Sequence, residues 1–119
     1  MSLKTTQFPP IIIADKTVTV LTGQTKSEAV DLLGTVLVAF ITEDTLAAAG
    51  SVTFESSLDG VTYLPTYNDA AIPLAVSVQT GRYIVLDITD FAAMRFIKFV
   101  LDVVEGSDVV FKLLTRPAL

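Results

Sequence analysis

Carboxylates supply most of the polar chemistry available to this chain: thirteen acidic residues stand against eight basic ones, and neither histidine nor cysteine occurs. Glu43, Asp44, Asp69 and Asp90 fall in segments that read as loops. Were those loops to meet at one end of a domain, their oxygens would suit calcium, a hard cation that prefers such ligands. No sequential calcium-loop spacing joins them, so solvated loop charge is the plainer reading. Nor does any spacing select a carboxylate pair for glycoside hydrolysis, which needs one acid as proton donor and another as nucleophile or base.

Aromatic chemistry is the second candidate. Tyr63, Tyr67 and Tyr83, with Arg82, offer faces on which a sugar ring could stack. Tyr63 and Tyr83 sit in predicted strands, where core packing is their ordinary use. Tyr67 sits in a predicted loop, which leaves Tyr67 and Arg82 as candidate glycan contacts.

The missing residue types exclude more than the present ones suggest. Without histidine the chain lacks the commonest general base and transition-metal ligand, and without cysteine it lacks disulfides and thiolate sites. The expectation is a protein that is not an enzyme, with no catalytic residue, cofactor or metal site. A net charge of −5 without any basic cluster argues against binding nucleic acid through its phosphates. The apolar runs are too short to span a membrane, and Met1 to Gln7, with one lysine and no apolar core, predicts no secretory signal.

The elements that would position these residues are most legible in the C-terminal third. From Arg82 to Ile88, Ile84, Leu86 and Ile88 alternate on one face, a period of two that marks a strand. Asp90 is placed to cap one helical turn over Phe91 to Met94. Arg95 to Val104 returns to strand with Ile97, Phe99, Leu101 and Val103 on one side. Glu105 to Asp108 then predicts a hairpin connection into a last strand, Val109 to Thr115, with Val109, Phe111 and Leu113 inward.

Upstream, strands are predicted over Lys16 to Leu21, Glu28 to Leu33, Thr35 to Thr42, Ser51 to Ser57, Val61 to Leu64 and Ile72 to Val78. Asp59-Gly60 predicts a tight hairpin turn, because glycine tolerates positive φ. Glu43 to Gly50 has either helical composition or the character of a long loop at a sandwich end. Strands at roughly ten-residue spacing predict an all-β, antiparallel β-sandwich of jelly-roll type.

Residues 1–14 read either as a disordered terminus or, because Pro9 and Pro10 enforce extended backbone, as an extended N-terminal arm preceding one sandwich domain over 15–119. Phe8, Pro9, Pro10, Ile11, Ile12 and Ile13 are the candidate partner-binding residues, since exposed isoleucines are costly unless a neighbour covers them. Hydrophobic residues make up 51% of the chain, and the run Thr35 to Ile41 is apolar on both faces. Both features predict an oligomer that covers a second sheet face.

The segment SVTFESSLDGVTYLP, followed later by GRYIVLDITDFAAMRFIKFVL, resembles a pattern of small β-sandwich virion proteins of tailed bacteriophages. The carrying residues are the turn Ser57, Leu58, Asp59, Gly60, then Tyr63 where such proteins often have tryptophan, Pro65, and the later run Arg95, Phe96, Ile97, Lys98. About half of the chain takes part, and the pattern is shared with galactose-binding-like sandwiches of glycan-binding proteins. The resemblance implies a non-enzymatic structural protein of a phage particle. The first expectation is a capsid decoration, or cement, protein, a homotrimer bound to the major capsid protein or another virion protein. It would assemble in the host cytoplasm and reside in the virion. A small tail or baseplate component, or a carbohydrate-binding module using Tyr67 and Arg82, is the alternative.

Overall fold

The computed structural model describes residues 12–42, 46–47, 50–91 and 94–117, with backbone alone at 12–15 and 88. Nine strands and one helical turn are formed among these residues: β1 Ile12–Val20, β2 Val30–Asp31, β3 Thr35–Thr42, β4 Ser51–Ser57, β5 Leu64–Pro65, β6 Ala75–Ser77, β7 Arg82–Val85, α1 Ile88–Phe91, β8 Phe96–Leu101 and β9 Val109–Pro117. They make two antiparallel sheets packed as a sandwich. One sheet has the order β1-β9-β3-β7, and the other has β2-β8-β4-β5 with β6 also paired to β4.

The pairing is nested. β1 meets β9 (Val18 opposite Phe111), β2 meets β8 (Val30 opposite Ile97), β3 meets β7 (Phe40 opposite Ile84), and β4 meets β5 and β6 in turn. Two further pairings, β3 with β9 and β4 with β8, join these hairpin-like pairs into the sheets. Consecutive strands therefore tend to change sheet, which corrects the expected hairpin at Glu105 to Asp108. β8 and β9 lie in different sheets, and residues 102–108 cross between them.

The alternation read in β4, β8 and β9 places the core. Phe40, Phe54, Phe99 and Phe111 are fully buried, each worth about 1.5–3 kcal/mol of burial. Their rings form a chain across the interior: Phe111 to Phe40 at 5.4 Å, Phe40 to Phe99 at 5.2 Å, and Phe99 to Phe54 at 5.0 Å. Phe91 of α1 extends it, edge-on to Phe54 at 5.1 Å. Edge-to-face pairs of this kind add stabilisation beyond the area they bury.

Several boundaries differ from the sequence expectation for local reasons. β2 is cut to two residues because Asp31 Oδ1 accepts the Leu33 amide at 3.0 Å, and Leu33 and Gly34 both take positive φ (47° and 73°). The Leu32 carbonyl then accepts the Thr35 amide at 2.9 Å, closing a tight turn into β3. The helical turn starts three residues earlier than expected. Its acceptor is Asp87, whose Oδ1 takes the Thr89 amide at 3.0 Å and the Thr89 hydroxyl at 2.7 Å, rather than Asp90. β6 covers three residues, and Ile72 is exposed instead of lining the inner face.

β1 begins at Ile12, so the backbone of Ile12 to Ala14 belongs to the sheet, with Ile12 opposite Thr115 and Ile13 opposite Leu114. Phe8, Pro9, Pro10 and Ile11 lie outside the described residues, as do Glu43 and Asp44. Within the segment read as helix or loop, the Leu46 amide donates to Thr80 Oγ1 and the Ala47 amide to Glu105 Oε1, both at 2.8 Å.

Candidate functional site

The end of the sandwich where β1 begins and β9 finishes carries the most exposed apolar side chains, and the connection from β4 to β5 explains why. Buried Ser57 and exposed Asp59 both turn back on the backbone of their own loop. Ser57 Oγ donates to Asp59 Oδ1 at 2.9 Å and accepts the Gly60 amide at 2.9 Å, while Asp59 Oδ1 accepts the amides of Val61 and Thr62 at 2.8 and 3.0 Å. Those backbone donors, the Val61 amide first, favour the charged form and pull the Asp59 carboxyl down to about 2. Gly60 has φ +79°, and a Cβ there would come within 3.3 Å of the Phe96 ring, so the loop is fixed on both counts. With these polar side chains committed to the loop's own amides, Leu58 and Val61 are left 88% and 81% exposed.

β4 and β5 do pair, Glu55 opposite Pro65 and Ser56 opposite Leu64. The expected two-residue turn is instead a six-residue connection, 58–63. Ser56 and Thr66 hydroxyls meet at 2.5 Å beneath it. Between this connection and α1 lies a groove of about 460 Å³ whose apolar walls include Leu58, Leu64, Tyr67 and Met94. Asp59, Asp90 and Arg95 stand on its rim. The rim cation is already matched: Arg95 Nε and Nη2 donate to the two oxygens of Asp31 at 3.2 and 3.3 Å, and the guanidinium lies 4.8 Å over the Phe96 ring. The hydrogen bond from Arg95 holds the Asp31 carboxyl below its ordinary value.

A second hollow of about 430 Å³ adjoins the first and shares Tyr67 and Asp90 with it; Asp69 and Asn68 also line it. Asn68 Oδ1 is occupied by the amides of Ala70 and Ile72 at 2.9 and 3.0 Å. Asp69 and Asp90 thus line one hollow, while Glu43 and Asp44 lie outside the described residues. Among the described residues, however, no group of three or more acids forms a metal-binding cluster.

The proposed glycan pair is not assembled. Arg82, on β7, donates to Gln79 Oε1 at 3.1 and 2.6 Å, and Gln79 lines a separate hollow with Leu46 and Gly50. Tyr67 and Arg82 share neither hollow. The other tyrosines are dispersed as well: Tyr63 is half-buried with the Lys98 ammonium 4.4 Å over its ring, and Tyr83 lies on the outer face of β7. Leu58, Val61, Leu64 and Met94 escaped the sequence reading. An apolar residue inside a serine-aspartate-glycine turn was the available signal, since such turns commit their polar side chains to backbone amides.

One more apolar surface stands away from the groove. In β7, Ile84 packs on the core, so Tyr83 and Val85 face outward, 62% and 77% exposed. Cross-strand register sets Tyr83 beside Ile41, and Val85 beside Ala39 and then Leu114. No family model, no curated protein and no solved structure matches the chain.

Proposed function

We propose that the chain is a non-enzymatic structural protein of a phage particle. It is a decoration protein that forms a homotrimer, binds the major capsid protein or another virion protein, and stabilises the shell by bridging its subunits. The sandwich is read as a jelly roll. The nested pairing supports that reading: with β5 and β6 counted as one interrupted strand, an eight-strand hairpin rolled into two sheets gives the orders β1-β9-β3-β7 and β2-β8-β4-β5/β6. Viral capsid domains and lectins are both built on this scaffold. The turn and strand residues quoted above supply the resemblance to virion proteins.

The observation that carries the oligomer is the outer face of β7. Tyr83 and Val85, with Ile41, make an apolar patch at the edge of the four-stranded sheet. Such a patch on an edge strand is a pairing hazard unless another chain covers it, and tyrosine is enriched at the centres of interfaces. In the trimer each copy covers this patch on its neighbour.

Light scattering during gel filtration tests the reading. The full chain is expected at three times 12.7 kDa, and Val85→Asp at 12.7 kDa with its fold retained by circular dichroism. A wild-type monomer at every concentration would sink the proposal. Co-sedimentation with capsids stripped of accessory proteins then tests the virion partner, with the wild-type chain pelleting and Val85→Asp staying in the supernatant. The glycan-binding alternative keeps Tyr67, now with Asp90 beside it instead of Arg82. Binding on a glycan array that Tyr67→Ala abolishes would favour it.

A further inference from the structure

We infer that the groove between the β4–β5 connection and α1 receives the segment Phe8–Ile11 of a neighbouring copy. This rests on the self-associating reading above and names a second contact within it.

The chemistry of groove and segment match. The groove is apolar with a tyrosine in its wall, Tyr67, and Leu58, Leu64 and Met94 complete the lining. Extended proline segments bind such surfaces because their backbone is ordered beforehand and little entropy is lost on docking. Phe8-Pro9-Pro10-Ile11 is a sequence of that kind. A volume of about 460 Å³ lies within the range of sites that hold a few side chains.

Charge points the same way. Residues 1–14 contain Lys4 and no acid, while all thirteen acidic residues and seven of the eight basic ones lie beyond them. Asp59 and Asp90 stand on the groove rim, and Arg95 there is paired to Asp31. The uncharged docking segment is thus preceded by a lone cation, Lys4, and meets a rim of net negative charge.

Position selects a neighbour over the chain's own segment. β1 starts at the groove end, since Ile12 pairs with Thr115 and Thr35 pairs with Pro117 while the Leu32 amide donates to the Arg95 carbonyl. β1 faces β2, tied by Lys16 Nζ donating to the Asp31 carbonyl at 2.9 Å. From β2 the groove lies two to three strands away across β8 and β4. With strands about 4.8 Å and sheets about 10 Å apart, the groove is roughly 14–17 Å from β1. Pro10, Pro9 and Phe8 are two, three and four residues from Ile12 and reach at most about 7, 11 and 14 Å. The prolines of one chain therefore fall short of its own groove, whose edge Phe8 alone could touch, and seating the whole segment takes a second copy.

The absence of native cysteine makes the test clean. Two full-length variants, Pro10→Cys and Leu58→Cys, are purified separately, mixed and oxidised; Pro10→Cys with Leu64→Cys is run in parallel. The expected result is a mixed disulfide of twice 12.7 kDa formed at least tenfold faster than with a Thr19→Cys control at the far end of β1. Mixed disulfide no faster than the control in both pairings overturns the inference. So does a single chain carrying Pro10→Cys and Leu58→Cys that closes on itself as a monomer. If light scattering still reports a trimer, the β7 contact survives and the groove contact alone has failed; if the wild type is monomeric, both fall together.

Discussion

The two ends of the sandwich use the same residue types to opposite effect. At the end formed by the β1–β2, β3–β4 and β8–β9 connections, carboxylates accept amides from other loops. Asp108 Oδ1 takes the Thr22 amide and hydroxyl, both at 2.8 Å, Asp102 Oδ1 takes the Gly50 amide at 3.0 Å, and buried Glu105 takes the Ala47 amide at 2.8 Å. These bonds join residues more than fifty positions apart. At the groove end Asp59 and Asp87 accept amides two or three residues away. A carboxylate used across loops stitches an end shut. One used within a loop shapes that loop and leaves its apolar side chains outside, which is why Leu58 and Val61 are far more exposed than Val103 or Leu21 at the stitched end.

The hardest break of this contrast is Phe91→Ala. Phe91 anchors α1, and with it one wall of the groove, through its edge-on contact with Phe54. Truncating a buried ring leaves a cavity, so urea unfolding is expected to show a loss of about 3–5 kcal/mol. The groove should loosen before the stitched end does. Hydrogen exchange is expected to accelerate at Thr89 to Met94 while the amides of Thr22 and Ala47 stay protected.

A matched pair sharpens the comparison at moderate cost. Glu105→Ala removes the acceptor of the Ala47 amide at the stitched end and is expected to lose about 1–3 kcal/mol. Leu58→Ser at the groove end exchanges an exposed side chain and is expected to change unfolding by less than about 0.5 kcal/mol. Its effect is expected in slower mixed-disulfide formation between Pro10→Cys and Leu64→Cys chains. Equal stability losses for the two variants would mean that the ends are not built differently.

Leu33→Asn is smaller and favourable. Leu33 occupies the left-handed region at φ 47° in the turn between β2 and β3, where asparagine is tolerated and leucine is strained. Its side chain is 65% exposed, so little burial is lost. A gain of about 0.5–1 kcal/mol in urea unfolding is expected, and a loss would show that the leucine packs on something in solution.

Strands whose signal is local were legible, and strands defined by their partners were not. β3 and β4 occupy the expected Thr35–Thr42 and Ser51–Ser57, because a glycine precedes each and a continuous apolar run marks the first while alternation marks the second. The inward set Val109, Phe111 and Leu113 is buried for the same reason. Sheet membership is a long-range property: nothing in EGSD distinguishes a hairpin from a crossing, since Glu105 and Asp108 act on loops far away in sequence. The site divides along the same line. Tyr67 was readable as a loop aromatic, whereas its separation from Arg82 follows from β7 joining the opposite sheet. Leu58 and Val61 became surface because Ser57 and Asp59 chose the backbone, a choice visible only once hydrogen bonds are drawn.

Acid is the mildest probe, and it reaches carboxylates at both ends. Asp59 has its carboxyl lowered from 3.8 to about 2, and Asp31 and Asp87 are lowered at the same end, as are Asp102 and Asp108 at the other. A carboxyl with a lower pKa folded than unfolded takes up its proton more readily on unfolding, so protonation favours the unfolded chain. The contribution of Asp59 is complete above 3.8 and is lost as the pH falls towards 2. Thermal melts from pH 6 to 2 are expected to be flat above about pH 5 and to fall steadily below 4. Asp59→Asn keeps an oxygen for the loop amides but has no charge to lose. Its melting temperature is therefore expected to start lower at pH 6 and to converge on the wild type at pH 2. Parallel curves would mean that the bonding of Asp59 to the loop amides, and with it the outward turn of Leu58 and Val61, does not depend on the carboxylate charge.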